Sequence, residues 1–132
     1  MIAANKNVIL ASGSPRRKEL LSLVIDSFTC LSLDIDESFP SSIPAHEVAA
    51  HLAVKKAEIA HQRCAEESIV ITADTTVICD EILLEKPQSE KEAAQFLNTL
   101  SNRWHEVVTA ACLRQGDQQF LHTSVNKVRF AS

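Results

Sequence analysis

Residues 68–72, with the sequence SIVIT, form the most continuous β-branched run in the chain. A strand without polar alternation is typical of a sheet that is covered on both faces. Such sheets belong to folds in which strands alternate with helices. We expect this strand to end at residues 73–75, Ala-Asp-Thr, where the run of apolar residues gives way to polar ones.

Strand-like and helical patterns alternate along the rest of the chain. Strands are predicted at residues 7–11, 31–36, 107–113 and 120–125, with a turn at 115–117 between the last two. Helices are predicted from Pro15, over residues 45–64, and from the capping box at residues 89–92. The alternation predicts a single α/β domain over residues 1–132, with a largely central sheet.

Several details of these elements can be checked against the structure. The first and third helices are expected to bury apolar residues, which are Leu20, Leu21, Val24, Ala93, Leu97 and Leu100. Residues 77–79 and 82–84 predict a hairpin around Asp80 and Glu81, although no glycine supplies the favoured turn. Residues 127–130 predict the start of a further strand.

The charge balance limits the kind of ligand that the chain can hold. It has 13 Lys and Arg residues against 17 Asp and Glu residues, for a formal net charge of −4. We therefore expect no nucleic acid polymer as a partner, and an anionic ligand would be held by a few cations gathered locally. The four cysteines include no CxxC pair, which predicts free thiols. No apolar run reaches membrane-spanning length, so we expect a cytoplasmic protein without a membrane partner.

Residues 12–17, with the sequence SGSPRR, lie between the first predicted strand and the first predicted helix. The amides and the dipole at a helix N-terminus favour an anion. Ser12, Arg16 and Arg17 add donors suited to phosphate. A plain N-cap followed by solvated arginines explains the same residues equally well, so this segment alone leaves both interpretations open.

Lys56 lies within the apolar arc of the second predicted helix. On a helical wheel with Val48 at about 0°, Ile59 falls near about 20° and Lys56 near about 80°. A lysine at that angle either snorkels from the edge of the core, which is the commoner case, or reaches an anion in a pocket.

Carboxylates follow two of the predicted strands. Asp74 comes after the run 68–72, at the strand end where open α/β sheets bind ligands. It is a candidate metal ligand or general base, and a turn cap with Thr75 is its alternative role. Residues 34–37, Asp-Ile-Asp-Glu, form a second acidic group; most of it is expected to face solvent, but one carboxylate turned inward would complete a magnesium site. Lys86 adds a cation, and an exposed lysine ahead of a helix is its alternative role. Together these groups suit the cleavage of a metal-bound polyphosphate.

Several segments, in order along the chain, resemble the signature motifs of the Maf nucleotide pyrophosphatases. They are LASGSPRRKELL at 10–21, DE at 36–37, LAVKKA at 52–57, ADT at 73–75, LEKP at 84–87 and LSNRWHEV at 100–107. The similarity runs from about Val8 to Phe130. Several motifs in the right order are far more specific than any one of them.

The resemblance implies an α/β fold of the inosine triphosphatase-like kind, with a mixed central sheet and flanking helices. It also implies a possible homodimer, and a divalent metal cation, Mg²⁺ or Mn²⁺, as the cofactor. Asp74 would accept a proton from the attacking water and would share the metal with Glu37. The groups that would hold the triphosphate are Ser12, Arg16, Lys56 and Lys86, supported by Arg17. Thr75 resembles the branch of the family that acts on dTTP and UTP rather than on 7-methyl-GTP.

The chain departs from the family pattern at Thr72 and Asn102, where glycine is common, and at its end. Family members continue past Phe130 with a glycine-rich segment and a glutamine that helps to select the base, whereas this chain has two glycines in all. The expectation is a single Maf-like domain, C-terminally truncated relative to the family, with weak or altered base selectivity.

Two functions follow from the resemblance. The first is a nucleoside triphosphate pyrophosphatase that hydrolyses dTTP, UTP or modified nucleotides to the monophosphate and pyrophosphate. The alternative is a non-catalytic nucleotide-binding protein or a regulator of cell division. A phosphatase of another type is disfavoured, because the sequence shows no nucleophilic Cys or Asp motif.

Overall fold

The computed structural model describes residues 8–12, 15–25, 27–33, 38–84, 89–101 and 103–129. Its strands are β1 Val8–Leu10, β2 Thr29–Cys30, β3 Ile69–Cys79, β4 Ile82–Leu84, β5 Trp104–Gln115 and β6 Gln118–Arg129. Its helices are α1 Pro15–Ser22, α2 Val48–Gln62 and α3 Glu90–Leu100, and a short 3₁₀ helix, Ala45–Glu47, precedes α2. The strands form one sheet in the order β2-β1-β3-β5-β6, with β4 paired to β3. The predicted α/β fold, a mixed central sheet with flanking helices, is confirmed.

β3 is the central strand, and it is longer than predicted. It runs parallel to β1 on one edge and antiparallel to β5 on the other, where its residues 70–78 are paired. The prediction that this strand ends at residues 73–75 is wrong. The ladder with β5 continues past Asp74 and satisfies the backbone there, so the polar residues do not interrupt the strand.

The edge of β3 that faces β1 has an interruption in its pairing. β1 covers residues 69–71 of β3, and β4 covers residues 77–79 on the same edge, because β5 occupies the opposite one. None of the described strands pairs with residues 72–76 on this edge. At about 3.3 Å per residue, the interruption is about 16 Å long. We call it the β3 gap.

α2 packs across β3 and β5 through a face of small residues. The buried alanines Ala49, Ala53 and Ala57 lie against apolar side chains of the two strands. Small side chains allow a helix to come close to its neighbour, and here the Thr72 hydroxyl donates to the Ala53 carbonyl at 2.7 Å. The helix predicted over residues 45–64 is confirmed, and its close approach brings Lys56 down over the sheet.

Two peripheral strands differ from the predictions. β2 is confined to Thr29–Cys30, because its partner β1 ends at Leu10 and offers no further backbone groups for pairing. The Leu31 amide donates to the Leu10 carbonyl just after β2 ends. Residues 31–33 are irregular, and residues 34–37 lie outside the described part of the chain. The strand predicted at 127–130 is present at residues 127–129, but as the end of β6, because the ladder with β5 extends β6 to Arg129; Phe130 lies outside the described residues.

The apolar faces of α1 and α3 are less buried than predicted. Leu20 and Val24 are 54% and 78% exposed, and Leu97 is 59% exposed, whereas Leu100 is buried as expected. Periodicity shows which side of a helix is apolar, but it does not show whether another element covers that side. No helix within the described ranges is both long enough and apolar enough to cross a membrane.

The predicted hairpin between β3 and β4 is confirmed, and its turn is strained. Asp80 and Glu81 have φ values of +53° and +65°, the combination required by a two-residue type I′ turn. Asparagine and glycine occupy such positions at little cost, but Glu81 has no feature that favours this conformation. The turn therefore stores strain at Glu81.

Replacing Glu81 with glycine is expected to stabilise the fold by about 0.5–1 kcal/mol, because glycine adopts a positive φ without steric cost. Urea unfolding would measure the change. Glu58→Gly, which removes the same charge from an exposed position on α2, is the control and should lower the free energy of unfolding by about 1 kcal/mol. Destabilisation by both substitutions would show that the turn is not strained.

Candidate active site

Arg17 lies in the β3 gap, just beyond the end of β1. The Ile71 carbonyl accepts a hydrogen bond from Ala11 on the β1 edge at 2.9 Å. Because backbone groups alternate between the two edges of a strand, the Ala73 carbonyl points to the same edge. Arg17 Nη1 donates to this carbonyl at 3.3 Å. The guanidinium therefore takes the place that a longer β1 would occupy.

The same guanidinium connects three parts of the site. Arg17 Nη1 donates to Ser12 Oγ at 3.3 Å, and Nη2 donates to Thr75 Oγ1 at 3.1 Å. A rigid charged fork with several acceptors holds Ser12, just after β1, against β3. Arg17 is half-buried, whereas its neighbour Arg16 is exposed on α1. One arginine is thus bonded within the protein, and the other faces solvent.

The Asp74 carboxylate is drawn toward the same edge. The Thr75 backbone N–H, which points to the β1 edge like the Ala73 carbonyl, donates to Asp74 Oδ1 at 3.0 Å. Lys56 Nζ lies 3.8 Å from the same oxygen, and both side chains are 16% exposed. Of the two interpretations of Lys56, snorkelling to solvent is not what the structure shows. The ammonium lies beside a carboxylate in a partly buried site, where charges interact more strongly than in water.

Two predicted site residues, Glu37 and Lys86, lie outside the described residues. Lys55 Nζ donates to the Ser38 carbonyl at 3.2 Å, which ties the residue after Glu37 to α2. β4 ends at Leu84, opposite Val77 and at the rim of the β3 gap. Within the ranges that the structure describes, no group of three or more His, Cys, Asp or Glu side chains could hold a metal ion.

Thr109 is a site neighbour that sequence reasoning missed. It is paired directly with Thr75 across the β3–β5 ladder, and the two hydroxyl oxygens are 3.4 Å apart. Because a guanidinium can only donate, Thr75 accepts from Arg17 and its own hydrogen can be donated to Thr109. The two threonines are 34 positions apart in the sequence, and no local pattern reveals their register. The sole available signal was a hydroxyl residue between two apolar ones in a predicted strand.

The functional groups at the β3 gap carry oxygen and nitrogen atoms and include no reactive thiol among the described residues. The four cysteines are free, as predicted. Burial raises the pKa of the Cys112 thiol, which keeps that group protonated and unreactive at neutral pH. A carboxylate and an ammonium lie on the face of β3 that α2 covers, a guanidinium lies at its edge, and the hydroxyls of Thr75 and Thr109 lie on the opposite face. The carboxylate, the ammonium and the guanidinium suit a phosphate-bearing ligand and the activation of a water molecule beside it.

The fold is that of the Ham1 proteins. The solved structure of the Staphylococcus aureus Ham1 protein matches 94% of this chain and 71% of its own, with a TM-score of 0.68 and 14% identity. A nucleoside-triphosphatase, a dITP/XTP pyrophosphatase from Mycobacterium abscessus, matches 93% of this chain and 73% of its own, with a TM-score of 0.61 and 17% identity. At these identities the likeness establishes the architecture.

The family follows from closer comparisons. Residues 7–132 match the family described as Maf-like protein, and the chain belongs to that family. It is 38% identical over 125 residues to a dTTP/UTP pyrophosphatase of Phocaeicola vulgatus, covering 94% of this chain and 65% of the relative. A dTTP/UTP pyrophosphatase of Porphyromonas gingivalis is 43% identical over 109 residues, which cover 80% of this chain and 55% of the relative. The resemblance in the motifs is confirmed, and the chain spans less than two thirds of the length of these curated relatives.

Proposed function

We propose that the chain is a nucleoside triphosphate pyrophosphatase that hydrolyses dTTP and UTP to the monophosphate and pyrophosphate. The names of its relatives support this activity. The observation that carries the proposal is the pairing of Asp74 and Lys56, 3.8 Å apart and both largely buried, at the β3 gap where Arg17 also lies. A base and a cation so placed can serve a water molecule and a phosphate at once.

Asp74 acts as the general base in this proposal. Water attacks the α-phosphorus, and Asp74 takes up the proton that the water loses. The bond between the α-phosphorus and the bridging oxygen breaks, and pyrophosphate leaves. Lys56 holds positive charge next to the phosphoryl oxygens, on which negative charge develops during the reaction.

We assign different roles to Arg16 and Arg17. Arg17 is bonded to Ser12, Ala73 and Thr75, so we assign it the support of the phosphate-binding loop. Arg16, exposed one position earlier on α1, is assigned to the triphosphate itself. Ser12 accepts from Arg17 through its oxygen and would donate its own hydrogen to a phosphate oxygen. Lys86 is assigned to the triphosphate from the resemblance, and Thr75 to the selection of a pyrimidine nucleotide.

A divalent cation fits the donors at this site. Asp74 offers carboxylate oxygen, the ligand type that Mg²⁺ and Mn²⁺ prefer. Mg²⁺ is commonly held by one or two carboxylates together with substrate phosphates and water, so Asp74 and Glu37 would suffice. When bound, the cation would neutralise charge on the triphosphate and on the departing pyrophosphate. The homodimer implied by the resemblance and the cytoplasmic location expected from the sequence stay predictions.

Pyrophosphate release tests the proposal directly. The purified chain, incubated with dTTP or UTP and Mg²⁺ or Mn²⁺, should release pyrophosphate and the nucleoside monophosphate in equal amounts. Release of orthophosphate instead would contradict the bond assignment. If no product forms while nucleotide still raises the melting temperature, the non-catalytic nucleotide-binding alternative is the better account.

A further inference from the structure

Thr76 carries a buried hydroxyl that the mechanism does not use. Its Oγ1 is shielded from solvent and has no hydrogen-bond partner in the structure. Thr76 lies two positions after Asp74, so both side chains project from the same face of β3. That face is the one covered by α2, to which Thr72 is bonded. The hydroxyl therefore projects from the stretch of β3 that borders the β3 gap, on the same face of the sheet as the proposed base.

A buried hydroxyl without a hydrogen-bond partner needs a physical explanation. Leaving a buried donor unsatisfied costs about 1–3 kcal/mol, and native proteins contain few such groups. Valine has nearly the same shape and the same preference for strands, without the hydroxyl. Among the described residues, His61 also carries a buried side-chain atom of this kind, toward the C-terminal end of α2. Thr76 is distinguished by its place in the gap.

We propose that Thr76 is a substrate-binding residue whose hydroxyl donates to an oxygen atom of the nucleotide. The inference rests on the proposed function and adds a contact to it. Two residues along a strand are separated by about 7 Å, which a nucleotide spans when its α-phosphorus lies beside Asp74. Thr76 lies at the end of the β3 gap next to β4, beyond Thr75, which Arg17 contacts. The nucleotide would thus extend from Asp74 toward β4, and its oxygen would complete the hydrogen bond that the protein leaves open.

Affinity for a substrate analogue tests this contact. The probe is α,β-imido-dTTP with Mg²⁺, whose bridging nitrogen prevents cleavage, titrated calorimetrically into the chain. Thr76→Val should weaken binding about five- to tenfold, the value of one hydrogen bond. Thr76→Ser keeps the hydroxyl and should stay within about twofold of the original affinity. The melting temperature of the ligand-free Thr76→Val protein should be unchanged or higher, because no internal bond is lost.

Thr123→Val is the matched control, since Thr123 is exposed on β6 and the chemical change is the same. An unchanged affinity in Thr76→Val would overturn the inference while leaving the proposed function intact. A lower melting temperature of Thr76→Val without ligand, with unchanged affinity, would assign the hydroxyl to the fold instead. Failure of the original chain to bind the analogue would overturn the proposed function and this inference together.

Discussion

Replacing Asp74 with asparagine is expected to slow pyrophosphate release from dTTP by about 10²–10⁴-fold, the usual contribution of a general base. Asparagine keeps the shape of the side chain, and its amide oxygen can still accept the hydrogen bond from the Thr75 backbone. It cannot take a proton from water. The loss should therefore appear in kcat, measured by pyrophosphate release at saturating nucleotide and metal, while nucleotide still raises the melting temperature.

Asp80→Asn is the control for this substitution. Asp80 lies in the turn that follows the same strand, is 66% exposed, and pairs with Arg103 at 2.8 Å. An exposed ion pair of this kind contributes little, so the rate should stay within about twofold of the original. If Asp74→Asn retained more than about a tenth of the original rate, another group would have to be the base.

Replacing Lys56 with methionine is expected to lower kcat/KM for dTTP by about 10²–10³-fold, as the loss of a preorganised charge next to a reacting group does. Methionine has nearly the length and shape of the apolar lysine stem. The change therefore removes the ammonium and little else. Steady-state kinetics with dTTP and Mg²⁺ would measure it.

The neighbouring lysine gives a close comparison. Lys55→Met removes the same charge from the same helix, at a position that contacts the Ser38 carbonyl rather than Asp74. Its effect on kcat/KM should stay below about tenfold, because the Ser38 carbonyl, to which Lys55 donates, takes no part in the proposed reaction. Equal losses in the two variants would mean that the charge of the helix matters and that the position of Lys56 does not.

Local pattern was sufficient to predict much of the fold. The hydrophobic period located α2 and placed Lys56 inside its apolar arc, and the structure shows that side chain beside Asp74. The Ser89 capping box is present, with the Ser89 hydroxyl accepting from the Glu92 amide at 3.1 Å. The hairpin around Asp80 was recognised without glycine, because short apolar runs on both sides required a reversal. These features depend on neighbours in the sequence.

The remaining features depend on partners distant in the sequence. The end of β3 was misplaced, because its length is set by β5, about 30 residues further on, and not by its own polar residues. The bond from Arg17 to the Ala73 carbonyl joins residues 56 positions apart, and the motif alone could not show which arginine turns inward. Likewise, the apolar side of α1 was visible, but its exposure in the structure was not. Register and coverage are tertiary properties that a single sequence does not display.

β3 runs without interruption along the whole β3 gap, where the nucleotide is proposed to bind. The base, the carbonyl that anchors Arg17, and the attachment points of β1 and β4 all belong to this strand, and β5 braces it from the other side. A change in the shape of β3 would require its hydrogen bonds to β5 to break. Any conformational change around a bound nucleotide must therefore come from the elements on either side of β3. The distance between the two ends of the β3 gap is set before the nucleotide binds.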